Sequence, residues 1–128
     1  MVVSAEYSYL IGTKGPFARR FLEPHEVPLA ARCGGFHIFH REDLRQIAPK
    51  WLDYTRKVRA FANAHPEEYF NESIQHDPKA TAADLAVLRK QARWHGEMYG
   101  YVFAAATVGV THRIRRDVML YPGYVPFM

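Results

Sequence analysis

Between Tyr99 and Val110 the sequence carries no charged residue, and this run limits what the chain can become more than any other stretch. It falls well short of the roughly 20 apolar residues that cross a bilayer, so protein must bury it. Met98, Val102, Phe103 and Ala106 recur on one helical face, and Gly109 supplies a C-terminal stop. The run is entered through Trp94-His95-Gly96-Glu97-Met98-Tyr99-Gly100-Tyr101, which sets one carboxylate among large aromatics and two glycines. Aromatics around a carboxylate can floor a sugar ring or a base, and glycine lets a ligand approach the backbone. The same residues also suit a helix start with aromatics in the core and Glu97 complementing the positive helix end.

A chain of 128 residues, 48% hydrophobic and 14% aromatic, is one domain or a piece of one and can pack a core. Its first residues do not read as a signal segment. Seventeen Lys and Arg against thirteen Asp and Glu give +4 and a pI near 9.3. The basic pairs, Arg19-Arg20 and Arg113 to Arg116, are far apart, so no continuous basic face for nucleic acid is evident. The single Cys33 excludes an internal disulfide and a cysteine-based zinc cage.

Val2 to Gly12 alternates as a strand, and Gly12 to Pro16 marks a turn. Phe17 to Leu22 suits a short helix; Glu23 to Pro28, with two prolines, suits an extended loop. Gly34 to His40 is the second strand candidate, followed by a short helix over Arg41 to Ile47. Pro49 then opens a new helix with Trp51, Leu52, Thr55, Val58, Phe61 and Ala62 on its packing face. Ala64 to Ala80 shows no periodicity and reads as an irregular loop. Within it, Asn71-Glu72-Ser73 matches an N-glycosylation acceptor, which permits a secretory compartment. Thr81 to Asp84 is a capping box opening a helix through Ala92. Val110 to Ile114 and Asp117 to Tyr121 are extended candidates, and Tyr121 to Pro126 is turn-rich. Alternation of this kind predicts an α/β or α+β layering. A strand starting at Val2, and few strands overall, predict the second part of a larger domain.

Familiar catalytic signatures are mostly absent from the sequence. There is no zinc-protease signature, nucleophile elbow or phosphate-cradling glycine loop. His37 and His40, three apart, cannot chelate one ion from a strand. Cys33 with His37 would make a thiol nucleophile only beside a base and an orienting group. Arg113, Arg115 and Arg116 beside Asp117 are a solvated strand edge or part of a phosphate-binding rim.

Four stretches, in order and spacing, resemble the peptidyl serine α-galactosyltransferases and hydroxyproline O-arabinosyltransferases of plants and green algae. They are Val3 to Gly12; Gly34 to Trp51; Glu97-Met98-Tyr99-Gly100-Tyr101 with Gly109-Val110-Thr111-His112; and Met119 to Pro126. The ending Tyr121-Pro122-Gly123-Tyr124 favours the serine galactosyltransferase branch. The Ala64 to Arg93 region departs from the pattern.

The resemblance implies an α/β fold, the C-terminal part of a Rossmann-like, GT-A type glycosyltransferase domain with a mixed sheet and flanking helices. It implies transfer of a sugar from a nucleotide-sugar (UDP-sugar) donor to Ser or hydroxyproline of a secreted or cell-wall glycoprotein. Mn2+ or another divalent metal would assist, in the Golgi or endoplasmic reticulum lumen, with any membrane anchor upstream of this chain. Such folds hold the metal with an Asp-x-Asp motif, and this sequence has none; the nucleotide-binding half is therefore expected elsewhere. Carried over residue by residue, Glu97 would be the catalytic carboxylate, taking the acceptor proton or holding the sugar. Trp94, Tyr99 and Tyr101 would form a sugar platform, Gly34 and Gly35 would give the substrate room, and His112 would be a third metal ligand. A non-catalytic carbohydrate- or peptide-binding module, or a remnant of such an enzyme, would use the same aromatics without donor chemistry. Nucleic acid is not an expected partner.

Overall fold

The computed structural model describes residues 1–7 and 9–117. In chain order its elements are β1 (Val2–Glu6), α1 (Pro16–Arg19), β2 (Cys33–Ile38), α2 (Arg41–Ala64), α3 (Pro66–Ser73), α4 (Ala82–Ala92), α5 (His95–Thr107) and β3 (His112–Arg115), with 3-10 turns at Ile11–Thr13 and Val27–Leu29. This is a mixed α/β arrangement. The uncharged run becomes α5, and burial extends all round it: Tyr99, Tyr101, Val102, Phe103 and Ala104 to Ala106 are inaccessible. An apolar helix without a polar face must be surrounded. Here α2 runs along one side and the sheet covers another. The single apolar face expected from the sequence was too narrow.

The sheet has the order β2-β1-β3, with β1 antiparallel to β2 and parallel to β3. Val2 pairs with His112, and Ser4 with both His37 and Ile114. Side chains of partnered residues share a face, so His37 and His112 both point towards α5, where they meet Tyr101. Gly35 sits at φ +72° within β2, a backbone conformation that needs glycine, and the β1–β2 register shifts between Ser4 and Glu6. β1 ends at Glu6 rather than Gly12; the chain turns there, with Leu10 N–H bonded to the Tyr7 carbonyl.

Two helical boundaries differ from the sequence expectation. Arg41 to Ala64 is one helix of 24 residues with Pro49 inside it, not two helices. Pro49 lies on the exposed side, and the packing of Ile47 before it and Tyr54, Thr55 and Val58 after it outweighs the one lost hydrogen bond. Leu52, expected on the packing face, is exposed, and Tyr54 takes its place. His40 caps this helix, its Nδ1 accepting from Glu42 N–H at 3.2 Å. The second correction is α3, which occupies part of the expected loop. Pro66 at its first position and Glu67 and Glu68 in its first turn are helix-start chemistry, and Tyr69 and Phe70 bury its inner face.

Asn71-Glu72-Ser73 is consequently helical. Ser73 is buried, its hydroxyl donating to the Tyr69 carbonyl, and Glu72 pairs with Arg20 at 2.7 Å. Folded in this way, the triplet is not presented as an accessible acceptor loop. The capping box at Thr81 and Asp84 forms as expected. At the other end Arg115 pairs with Asp117 at 2.9 Å and Arg116 with Glu6 at 3.0 Å, which matches a solvated strand edge. The extended and turn-rich segments expected beyond Asp117, including Met119 to Pro126, lie outside the described residues.

Candidate ligand cavity at the start of α5

Residues four, three and seven apart on a helix share one face, and Trp94, Glu97, Met98 and Tyr101 have that spacing. All four line an open cavity of about 780 Å³. α2 forms the opposite wall with Trp51, Arg59, Ala62 and Asn63, and β2 contributes Gly35 and His37. The Trp51 indole N–H donates to the Glu97 carbonyl at 3.0 Å and fixes the first turn of α5 against α2. Its ring meets Tyr101 edge-on at 5.0 Å.

The structure thus brings together Glu97, Trp94, Tyr101 and Gly35 from the residues singled out in the sequence. Glu97 is exposed to the cavity, and Trp94 stands at its mouth, 79% accessible. Two others sit elsewhere. Tyr99 points into the core, where its hydroxyl accepts from Gly12 N–H at 3.0 Å and donates to the Ser73 carbonyl. Gly34 is buried against protein: a Cβ there would lie 3.3 Å from Met98 Sδ and 3.5 Å from Tyr7. Its missing side chain serves that packing. The cavity residues overlooked in the sequence are Trp51, Arg59, Arg93 and His37. The helical spacing of Trp51, Arg59 and Ala62 was the available signal for the first two.

Beneath the cavity lies a buried polar network. Ser4 Oγ and His37 Nδ1 share a hydrogen bond of 2.7 Å, and Tyr101 Oη and His112 Nε2 share one of 2.6 Å. The Ser4 hydroxyl also interacts with the Cys33 thiol and with Tyr101. Burial, reinforced for His37 by the neighbouring His112, lowers both imidazoles to about 4 and pushes the Cys33 thiol up to about 12. A thiol so held stays protonated, which removes Cys33 as a nucleophile.

These depressed values predict acid sensitivity. The unfolded imidazoles protonate near pH 6.5, while the folded ones resist to about 4, so the unfolded state binds more protons in between. The stabilisation is complete above pH 6.5 and is lost as pH falls towards 4. Each site can contribute a slope of up to about 1.4 kcal/mol per pH unit, less here because both residues are only partly buried. Urea midpoints at pH 7.5, 6 and 5 should fall, and His37→Asn should flatten the fall. Equal slopes in both proteins would contradict this assignment.

His112 was the candidate metal ligand. Its Nε2 is taken by Tyr101, and its buried Nδ1 has no hydrogen-bond partner among the described residues. No three His, Cys, Asp or Glu side chains among the described residues form a metal cage. The described residues alone therefore do not fit a divalent cation.

The chain is 37% identical, over 97% of its length, to a peptidyl serine alpha-galactosyltransferase of Arabidopsis thaliana. It is 30% identical over 98% to a protein of the same name from Chlamydomonas reinhardtii. To hydroxyproline O-arabinosyltransferase 3 of Arabidopsis thaliana it is 31% identical over 66% of its length. It spans only 13%, 16% and 17% of these relatives. No family model and no solved structure matches. Through its near full-length similarity to a segment of each serine enzyme, the chain belongs with the peptidyl serine α-galactosyltransferases and hydroxyproline O-arabinosyltransferases.

Proposed function

We propose that this chain is the C-terminal, acceptor and sugar side of a GT-A type glycosyltransferase domain. It would act in the transfer of a sugar from a nucleotide-sugar donor to Ser or hydroxyproline of a secreted or cell-wall protein, in the Golgi or endoplasmic reticulum lumen. The observation that carries this is the cavity at the start of α5. It is lined by Glu97 together with Trp94, Trp51 and Tyr101, in a chain similar to a segment of enzymes of that name. Aromatic faces suit the apolar C–H faces of a pyranose. A carboxylate open to the cavity can accept a proton from an attacking hydroxyl, or hold the sugar while it is transferred. Gly35, without a side chain, leaves the cavity floor open at its β2 edge. The divalent cation of this reading would take its ligands from outside the described residues, because the buried His112 Nδ1 does not reach the cavity.

The test is a chimera in which this chain replaces the matching segment of the Arabidopsis serine enzyme. Glu97→Gln should reduce transfer to a serine peptide by about a hundredfold or more, with the fold intact by circular dichroism. Transfer unchanged by Glu97→Gln would overturn the role. The exposed Trp94 at the cavity mouth favours one second reading, a carbohydrate-binding module without donor chemistry. Sugar binding by the 128-residue chain, alongside a chimera indifferent to Glu97, would support it.

A further inference from the structure

We infer that Asn71 carries an N-linked oligosaccharide, attached before α3 folds and borne afterwards on the outer face of that helix. Asn71-Glu72-Ser73 is an acceptor triplet whose middle residue is not proline. Folding treats its two essential side chains in opposite ways. Ser73 is fully buried, its hydroxyl donating to the Tyr69 carbonyl while its own carbonyl accepts from Tyr99 Oη. Glu72 is gripped by Arg20 through two bonds of 2.7 and 2.8 Å, and Ile74 beyond the triplet pairs with Leu10. Asn71, by contrast, is exposed. Glu67 and Glu68, four and three residues before it, are exposed as well. The three side chains therefore share the solvent face of α3, turned away from the buried Tyr69 and Phe70.

The transfer joins Asn71 Nδ2 to C1 of an oligosaccharide carried on a lipid diphosphate. The C1–O bond to that diphosphate breaks, the amide gives up one proton, and the lipid diphosphate leaves. The triplet is read through the hydroxyl of its third residue as well as the asparagine amide. With the Ser73 hydroxyl closed into the core, the folded chain is no substrate, whereas the unfolded chain presents both groups. Once α3 has formed, the bulky product sits in water on an exposed side chain, where such modifications are tolerated. The order is therefore transfer first and folding second. The glycan then keeps the outer face of α3 in solvent. The inference rests on the lumenal compartment proposed above, and on neither Glu97 nor the α5 cavity.

For the test, the 128-residue chain is sent to the secretory lumen of a mammalian cell line by a foreign signal segment. A flexible N-terminal tail holding a second acceptor triplet serves as internal standard. Because delivery is imposed, the result reports on the site and not on the natural compartment. The chain should carry two glycans, and peptide N-glycosidase should remove both and convert Asn71 to aspartate, read by peptide mass. Asn71→Gln and Ser73→Ala should each lose one glycan and keep that of the tail. Glycosylation of the tail alone, or a second glycan that survives Asn71→Gln, would overturn the site. The same tailed chain, made in bacteria and folded, is then given to purified oligosaccharyltransferase with its lipid-linked oligosaccharide. The tail should be modified and Asn71 left bare; modification of Asn71 in that folded chain would overturn the order of events. The glycosylated chain should match the circular dichroism of the bacterial one, and a failure to match would show that the fold does not accept the glycan. A cytosolic location of the native protein would remove the compartment reading without altering either result.

Discussion

Gly100→Ala should unfold this protein or cost it about 3 kcal/mol or more, although Gly-to-Ala in a helix interior ordinarily stabilises by about 1 kcal/mol. The reason is the contact between α5 and α2. A Cβ at Gly100 would fall inside the contact distance of Thr55 Oγ1, and would stand 2.8 Å from the backbone nitrogen and 2.9 Å from the Cα of Thr55. A side chain can rotate away from such a clash, but a helix backbone cannot. Thr55 is also held by its own hydroxyl, which donates to the Trp51 carbonyl at 2.7 Å. The two helices would have to separate, and packed interiors resist that. Equilibrium denaturation of the purified variant measures the loss. Thr55→Ala in the same chain should rescue it only in part, because the backbone contacts remain. A Gly100→Ala protein as stable as the parent would show that α2 and α5 do not approach as described. The site depends on this contact, since Trp51 and Glu97, bonded across the same interface, lie one turn away on each helix.

The cavity-lining stretch was visible in the sequence, but its geometry was legible only in part. Trp94, Glu97 and Tyr101 share a face by spacing alone, while Tyr99, two residues before Tyr101, faces the opposite way on any helix. Applying the helical period to the stretch would have removed Tyr99 from the sugar platform. No such rule could supply Arg93 or His37, because tertiary packing brings their segments to the cavity. The continuous α2 was hidden by Pro49, whose local signal for a helix start is overridden by burial on both sides of it. α3 is too short to show a period, and its proline and acidic first turn were the only local signs. The homology was legible from motifs spread over nearly the whole chain, which is why 37% identity runs over 97% of it.

Phe17→Ala should be the most damaging truncation in the chain, costing about 3–5 kcal/mol against the roughly 5–15 kcal/mol by which a domain is stable. Its ring is fully buried and meets five other aromatic rings: Tyr99 at 4.8 Å, Phe21 at 5.2 Å, Tyr69 at 5.6 Å, Phe103 at 5.8 Å and Phe61 at 6.0 Å. Those partners come from α2, α3, α5 and the turn after α1, so one side chain closes the junction of four segments. Truncation leaves a void that none of them can fill without moving another. A Cβ on Gly12 would lie 2.8 Å from Phe17 Cδ1, so the loop after β1 is also shaped around this ring. Phe17→Leu should lose less, about 1–2 kcal/mol, because most of the volume is kept. Denaturant midpoints of the two variants, compared at unchanged slope, decide the matter; a loss below about 1 kcal/mol for Phe17→Ala would show that the junction repacks. The same cluster fixes what Tyr99 does. Tyr99→Phe keeps the ring against Phe17 but leaves the buried Gly12 N–H and Ser73 carbonyl unpaired, at about 1–3 kcal/mol. That substitution should lower stability without changing ligand affinity in the α5 cavity, whereas Tyr101→Ala should lower both.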